Sequence, residues 1–306
     1  MNMTTPPPHI TIALCTYNGA AHLRAQLDSY LAQDHTAWSL WVSDDGSTDD
    51  TRTILQDFAQ THGAQHPLRV IDGPQQGVAA NYLSLLCHPE FPAGMTALSD
   101  QDDIWHAHKL SRAVEVMQEA TQPWLYGAQS VHVDDTLTPI GASSTTGAVP
   151  AFSNALVQNI VSGHSAVLSA QTLALVRRAG VPQGIPYHDW WLYLLVTGAG
   201  GHVVVDEAET LLYRQHGDNL MGAHGGWRST VARLSQVFGT TYAGWLDANT
   251  AALSTCAGLL TPQARETLHS FAARPRTLRM LRRAGIHRQG RMGTACVHLA
   301  ALLRRL

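Results

Sequence analysis

Apolar and polar positions along the first half of the chain alternate between two periods. The runs "HITIALCT", "WSLWVS", "LRVI" and "MTALS" are short and apolar, as buried strands are. Each run is followed by a segment with helical spacing of its apolar residues, such as Leu23, Leu27 and Tyr30 after the first. Strands and helices that alternate in this way predict an α/β fold, with a mostly parallel sheet covered by helices on both faces.

The pattern becomes less regular after about residue 123. "WLYGAQSVHVDD" and "SGHSAVLS" indicate further strands, "DWWLYLLV" a short apolar helix, and "HVVVDEAETLLYRQH" the two strands of a hairpin. From about residue 226 the chain is rich in Ala, Leu and Arg and reads as helical. We therefore predict an α/β domain over residues 1–225 and a helical, basic C-terminal extension over residues 226–306.

Polar residues follow three of the predicted strands directly, as "CTYN", "SDDGS" and "SDQDD". In parallel α/β sheets, ligands bind outside the carboxyl ends of the strands. Asp100, Asp102 and Asp103 repel one another there unless a cation lies between them. Carboxylate oxygens suit Mg²⁺ or Mn²⁺, which also bind phosphate oxygens. The sequence therefore predicts a divalent cation that carries a phosphorylated substrate.

Several other kinds of site lack support. The first strand is not followed by GxGxxG, and the chain contains neither a P-loop motif nor a GxSxG motif. A net charge of −3 argues against nucleic acid as the main partner, because binding to phosphate backbones needs a large cationic surface.

The motifs "TYN", "DDGSTDDT", "SDQDD", "HDWW" and "YRQHGDN" occur in this order between residues 9 and 222. Together they resemble the family 2 glycosyltransferases with a GT-A fold, particularly bacterial rhamnosyltransferase-like members. The resemblance implies transfer of a sugar from a nucleotide-diphosphate donor to a hydroxyl group, with inversion at the anomeric carbon. It favours dTDP-L-rhamnose over a UDP-hexose as donor, and a cell-surface glycan or its lipid-linked precursor as acceptor.

The resemblance assigns the donor site to residues after the first two strands. Thr16, Tyr17 and Asn18 would line the nucleotide pocket. Asp44 or Asp45 would accept a hydrogen bond from the base or the ribose.

The resemblance also implies a metal site and a base. Asp100, Gln101 and Asp102 would form a DxD motif, in which Asp100 faces the ribose and Asp102 ligates Mg²⁺ or Mn²⁺. His216 would be a further metal ligand. Asp189 would be the general base that accepts the acceptor's proton.

Each remaining candidate has a structural alternative. Asp189 could instead cap the helix that follows it, and Asn81 could contact the donor or cap nearby backbone. Gly163 would permit a close backbone approach near the sugar. His188 and Trp190 are candidates for the acceptor and sugar pocket, with core packing as the alternative.

The distribution of basic residues is uneven. Lys109 is the only lysine, and we expect it at the surface. Residues 267–306 contain nine Arg and no Asp or Glu. This segment could lie on an anionic membrane surface, or it could be an ordinary solvated helical face.

The remaining features favour a cytoplasmic protein, with the inner face of the cytoplasmic membrane as a possible place of contact. The four Cys show no disulfide-framework spacing, the N-terminus lacks the features of a signal peptide, and no apolar run is long enough to span a bilayer. Two rival functions stay open: a sugar nucleotidyltransferase, and a non-catalytic carbohydrate-binding or scaffold protein on a decayed transferase fold.

Overall fold

A nine-stranded sheet lies at the centre of the computed structural model, which describes residues 7–143, 149–215 and 240–306. Its strands are β1 (Ile10–Thr16), β2 (Trp38–Asp44), β3 (Leu68–Asp72), β4 (Met95–Ser99), β5 (Ile104–Trp105), β6 (Trp124–Val133), β7 (Pro139–Ala142), β8 (Val167–Leu168) and β9 (His202–Arg214).

Helices cover both faces of this sheet, which confirms the predicted α/β architecture. Their bounds within the described residues are α1 (Leu23–Leu31), α2 (Thr51–His62), α3 (Val78–Leu86), α4 (Lys109–Met117), α5 (Phe152–Ala155), α6 (Ala170–Ala179), α7 (His188–Gly198), α8 (Thr240–Thr255), α9 (Pro262–Ala272), α10 (Leu278–Arg283) and α11 (Arg291–Leu302). Short 3₁₀ turns span Gly163–Ser165 and Ala257–Leu259.

The strands lie in the order β3-β2-β1-β4-β8-β6-β9-β5, and β7 pairs with β6 beside this path. The first four strands pair in parallel, as their βαβ rhythm predicts. β8 then runs antiparallel to both β4 and β6, whereas β6 and β9 are parallel. The carboxyl ends of β1, β2 and β4 therefore lie along one edge of the sheet.

Two apolar clusters hold the helices against the sheet. Every residue of β1 and β2 is buried, and their side chains alternate between the two faces. Ile10, Ile12 and Leu14 pack with helices α1, α2 and α4 on one face. Ala13 and Cys15 point to the other face, where they join a larger cluster with α3, α6 and α7.

The C-terminal helices share this larger cluster. Leu246 of α8, Phe271 of α9 and Val297 of α11 are all buried within it. The Tyr242 hydroxyl donates a hydrogen bond to the Val157 carbonyl oxygen at 2.6 Å. The predicted boundary between residues 225 and 226 falls outside the described residues and stays a prediction.

The predicted hairpin at residues 202–216 is wrong. His202–Arg214 forms one strand of 13 residues, β9, which pairs in parallel with β6 and antiparallel with β5. Its "VVVDEAETLL" stretch contains no Gly, Pro or Asn to supply a tight turn. Irregular register between β6 and β9 near Gly127 and Gln129 accommodates the long pairing.

Among the helices of residues 7–143, 149–215 and 240–306, none combines the length and the apolar character that crossing a bilayer requires.

Candidate active site at the carboxyl ends of the strands

Side-chain hydrogen bonds join the loops that follow β1, β2 and β4. The Gln101 amide accepts from the Tyr17 backbone N–H at 2.9 Å and donates to the Tyr17 carbonyl oxygen at 3.0 Å. The Asn18 backbone N–H donates to Ser47 Oγ at 2.9 Å. The structure thus brings three of the predicted donor-site residues, Tyr17, Asn18 and Gln101, to one edge. Tyr17 is 59% exposed there.

Thr16 and Asp44 are buried below this edge and bond to each other. Thr16 Oγ1 donates to Asp44 Oδ1 at 2.8 Å, and Arg52 Nε donates to Asp44 Oδ2 at 2.7 Å. Burial alone would raise the pKa of Asp44, but hydrogen bonds from Ser47, Arg52 and Thr16 outweigh it and lower that pKa. Asp44 is therefore an ionised anchor for the loop.

Asp45 and Asn81 are also engaged with the protein. Asp45 accepts from the backbone N–H groups of Gln75 at 2.6 Å and Gly77 at 3.1 Å. The Asn81 amide accepts from Ser43 Oγ at 2.5 Å and donates to the Ser43 carbonyl oxygen at 3.0 Å. Asn81, which is 2% exposed, thus ties α3 to β2. The donor-binding roles of both residues stay predictions.

An acidic cluster follows β4. One ligand atom each from Asp100, Asp103 and His164 lies within 4.8 Å of the others. Burial raises the pKa of Asp100 to about 7, the charge of Asp102 adds to this, and a hydrogen bond from Tyr82 opposes it. Burial raises the pKa of Asp103 well above its usual range, and the charges of Asp102 and Asp100 add to this effect. Two buried carboxylates this close together need a positive charge.

The donor set fits a divalent cation. Asp103 Oδ2 is buried and accepts no hydrogen bond from the part of the chain that the structure describes. Burial lowers the pKa of His164 to about 3, so its imidazole is neutral, as a metal ligand must be. Two carboxylates and one imidazole form a common ligand set for a divalent ion.

The set differs from the one that the sequence predicts. Asp102 is next to the cluster, and its carbonyl oxygen accepts from Arg214 Nε at 3.1 Å. Its role as a ligand stays a prediction, and His216 lies outside the described residues. His164 was not among the sequence candidates, although it follows the candidate Gly163 directly in "SGHSAV".

The expectation that Lys109 lies at the surface is wrong. Its side chain is 0% exposed, and Nζ donates to the His164 carbonyl oxygen at 2.5 Å. Nζ also lies 3.9 Å from the centroid of the Trp105 ring. Burial lowers the pKa of Lys109 to about 7, against the attraction of Asp103 and Asp100. The only lysine of the chain is therefore part of the acidic cluster's surroundings.

Asp189 lies in the first turn of α7, and Tyr187 rather than Asp189 is the N-cap residue. Its carboxylate accepts from the backbone N–H groups of Trp190 at 2.6 Å and Gly163 at 3.1 Å. Burial raises the pKa of Asp189 to about 6, although these two hydrogen bonds act in the opposite direction. The charge of Asp189 also raises the pKa of Asp100, which shows that the two carboxyl groups lie within electrostatic range.

Tyr82 connects the acidic cluster to the segment that carries Asp189. Its hydroxyl donates to Asp100 Oδ1 at 2.8 Å, and its ring stacks on His188 at a centroid distance of 4.0 Å. Burial lowers the pKa of His188 to about 3, and its Nε2 has no hydrogen-bond partner among the described residues. A Cβ atom at Gly163 would lie only 2.6 Å from this Nε2, so a glycine is required for the close approach.

Trp190 is placed differently from the predicted sugar pocket. Its ring is 4% exposed, and Nε1 donates to the Ala155 carbonyl oxygen at 2.7 Å. Trp190 therefore packs in the core, which was the alternative for this residue, and is not presented to a ligand in this structure.

The arrangement combines a candidate cation site with a carboxylate that is suited to act as a general base. The cluster of Asp100 and Asp103 can hold a cation against a diphosphate. Asp189, with a pKa close to neutral pH, is suited to accept a proton from a hydroxyl group. A sheet edge with these two features is typical of an enzyme that transfers a group from a phosphorylated donor.

Comparison with known proteins identifies the class. The sequence model of Glycosyl transferase family 2 matches residues 11–164, which extend from the second residue of β1 through β7 and include the acidic cluster. The chain belongs to this family and is a glycosyltransferase.

Relatives and solved structures agree with this class. The chain is 24% identical over 234 residues to the dTDP-rhamnosyl transferase RfbG of Shigella flexneri, covering 73% of this chain and 78% of that one. S. aureus TarS in complex with UDP-GlcNAc shares the fold with a TM-score of 0.55 and 14% identity, over 96% of this chain and 92% of TarS. The mannosyltransferase PcManGT of Pyrobaculum calidifontis, in complex with GDP-Man and Mn²⁺, does so with a TM-score of 0.55 and 16% identity, over 99% and 89% of the two chains.

A side chain at Gly163 is expected to disturb the site. In Gly163→Ala, the new methyl group must displace His188 or the backbone N–H that binds Asp189. Displacement of a reacting group by about 1 Å can cost roughly 10²-fold in rate, so we expect sugar transfer to slow by about this factor.

The measurement is the rate of sugar transfer per folded molecule, with Gly244→Ala as control. A Cβ at Gly244 meets nothing within 4 Å, so that variant should transfer sugar like the wild type. Equal rates for Gly163→Ala and the control would show that the close approach has no bearing on catalysis.

Proposed function

We propose that this glycosyltransferase uses a divalent cation, Mg²⁺ or Mn²⁺, to transfer a sugar from a nucleotide-diphosphate donor with inversion at the anomeric carbon. The single observation that carries the proposal is the cluster of Asp100, Asp103 and His164, within 4.8 Å, in electrostatic range of Asp189. dTDP-L-rhamnose is the favoured donor, in line with the relative RfbG, and a UDP-hexose is the alternative. The acceptor is a hydroxyl group of a cell-surface glycan or its lipid-linked precursor.

The proposed reaction gives one role to Asp189 and another to the acidic cluster. Asp189 accepts the proton of the acceptor hydroxyl while that oxygen forms a bond to the anomeric carbon. The bond from the anomeric carbon to the diphosphate oxygen breaks, and its electron pair leaves with the diphosphate. Asp100, Asp103 and His164, or the predicted ligands Asp102 and His216, would hold a divalent cation, which would supply positive charge for the departing diphosphate.

Donor binding can be tested by thermal unfolding. UDP, dTDP, GDP and CDP are each added to the purified protein with and without Mn²⁺, and thermal unfolding is followed. One nucleotide should stabilise the protein only with the metal, by about 2.7 kcal/mol at one hundred times its Kd. Asp103→Asn and Asp102→Ala should each reduce this stabilisation, because each removes a candidate ligand or a neighbouring negative charge.

Glu119→Gln is the matched control, since it removes an exposed carboxylate that lies beyond the end of α4. It should respond to the nucleotide like the wild type. No response of the wild type to any nucleotide, with or without Mn²⁺, would contradict the proposed donor site.

The pH dependence of transfer tests Asp189. A base must be ionised to accept a proton, and the pKa of Asp189 is raised to about 6. The rate should therefore rise with pH through about 6, level off above it, and fall as the carboxyl group becomes protonated below it. Asp189→Asn should lower kcat by about 10²–10⁴-fold and keep the stabilisation by nucleotide. Normal transfer by Asp189→Asn would mean that another group is the base.

Membrane contact through the C-terminal segment belongs to the same proposal. Four large apolar side chains of α11 and the residue after it are exposed: Met292 (66%), Leu299 (47%), Leu302 (61%) and Leu303 (57%). They lie on one side of the helix, whereas Val297, Ala300 and Ala301 face the core. Nine Arg and no acidic residue occur in residues 267–306. This combination suits an anionic lipid surface, on which a lipid-linked acceptor would also lie.

Vesicle flotation tests this contact. The wild type should float with vesicles that contain anionic phosphatidylglycerol and not with neutral phosphatidylcholine vesicles. Leu299→Asp combined with Leu302→Asp should abolish flotation, because both side chains are exposed and would carry charge into the lipid. Ile140→Asp, which alters an apolar residue of β7 that is 55% exposed, should float like the wild type. Equal flotation of all three proteins, or of none, would contradict the contact.

A further inference from the structure

Lys109 is the only lysine among 306 residues, and its side chain is completely buried at the start of α4. An ammonium group is strongly hydrated, so its burial is unfavourable unless it gains charged or polar partners. A leucine or methionine would fill the same space without this cost. The polar and charged groups around Lys109 must therefore compensate for the cost of its burial.

Lys109 is linked to the acidic cluster through His164, whose carbonyl oxygen accepts from Nζ at 2.5 Å and whose ring nitrogen lies within 4.8 Å of carboxylate oxygens of Asp100 and Asp103. The charges of Asp103 and Asp100 are its strongest favourable electrostatic interactions. Lys109 in turn lowers the pKa of both carboxyl groups, against the effect of burial. It thus supplies positive charge from within the protein to two aspartates of the candidate cation site.

The same hydrogen bond of Lys109 connects it to the segment that binds the candidate base, Asp189. Nζ donates to the carbonyl oxygen of His164 at 2.5 Å. Gly163, the preceding residue, donates its backbone N–H to Asp189 at 3.1 Å. His188 packs closely against this segment, since its Nε2 lies only 2.6 Å from where a Cβ atom of Gly163 would be. Two hydrogen bonds and the backbone of two adjacent residues, His164 and Gly163, therefore connect Lys109 to the carboxylate of Asp189.

Lys109 also lies over the face of Trp105, with 3.9 Å between Nζ and the ring centroid. The ring of Trp105 is 2% exposed and packs against Tyr30 at a centroid distance of 4.7 Å. The ring of Trp105 thus packs against the same ammonium group that donates to the His164 carbonyl oxygen. A smaller or more mobile cation at this position would lack the contact.

We infer that Lys109 is a positioning residue, which couples the acidic cluster of Asp100 and Asp103 to the Gly163–His164 segment that holds the base Asp189. The inference rests on the proposed function, because it assigns the base role to Asp189. It extends that proposal, because one residue, Lys109, would support both the acidic cluster and the segment that binds Asp189.

Lys109→Met is the first test, because methionine keeps most of the length and loses the donor and the charge. Partners that orient catalytic groups typically contribute about 10–100-fold to metal affinity or activity. We expect kcat at saturating Mn²⁺ to fall by about this factor, while stabilisation by nucleotide and Mn²⁺ persists, since Asp100 and Asp103 remain.

Leu110→Ala is the matched control. Leu110 is the next residue of α4, is 0% exposed and packs in the apolar cluster formed with α1 and α2. This variant should lower the unfolding temperature and leave kcat per folded molecule unchanged. A Lys109→Met variant with the kcat of the wild type would overturn the inference.

A second measurement keeps the wild-type lysine and so does not depend on how Lys109→Met folds. Because the chain has one lysine, protein labelled with [¹⁵N]lysine at Nζ gives a single side-chain nitrogen resonance. This resonance should shift when Mg²⁺ and the selected nucleotide are added. It should also shift in Asp189→Asn, through Gly163 and His164. A resonance unchanged by both would overturn the inference.

The two proposals fail in different ways. A wild type that neither binds a nucleotide nor transfers sugar would contradict the proposed function itself. A wild type that does both, together with an active Lys109→Met variant or an unresponsive ¹⁵N resonance, would leave the proposed function intact and remove only the role of Lys109.

Discussion

Repulsion between two neighbouring carboxylates, the partly buried Asp100 and the fully buried Asp103, is the constraint on which the arrangement of the site depends. Both lie at the end of a central strand, where burial favours their protonated forms. Each nearby polar contact opposes this tendency. Tyr82 donates a hydrogen bond to Asp100, and the Arg214 backbone N–H donates one to Asp103. The ammonium group of Lys109 adds a positive charge that lowers the pKa of Asp103. The divalent cation of the proposed function would add positive charge to the same balance.

The sequence predicted the part of this site that depends on strand order. Apolar runs followed by polar residues indicated where β1, β2 and β4 end, and parallel pairing brings such ends together. Tyr17, Gln101 and Asp100 therefore appeared together among the candidates. The first three βα units were equally clear, because strand and helix periods alternate there without interruption.

The rest depends on contacts between residues far apart in the chain. His164 meets Asp100 and Asp103 only because β8 runs antiparallel beside β4. The length of β9 follows from its pairing with β6, which no local pattern encodes. The buried position of Lys109 was indicated by helical spacing, although lysine is a residue type that usually lies at the surface. Lys109 lies four residues before Ala113, which is buried on the same face of α4.

The double hydrogen bond between Gln101 and Tyr17 has a consequence for recognition. It joins the loop after β4 to the loop after β1 in the folded chain. Their ordering entropy is lost when the chain folds and is not lost again when a ligand arrives. A molecule that spans both loops meets a preformed template, and selection between molecules depends on shape and charge rather than on the ability to order the loops.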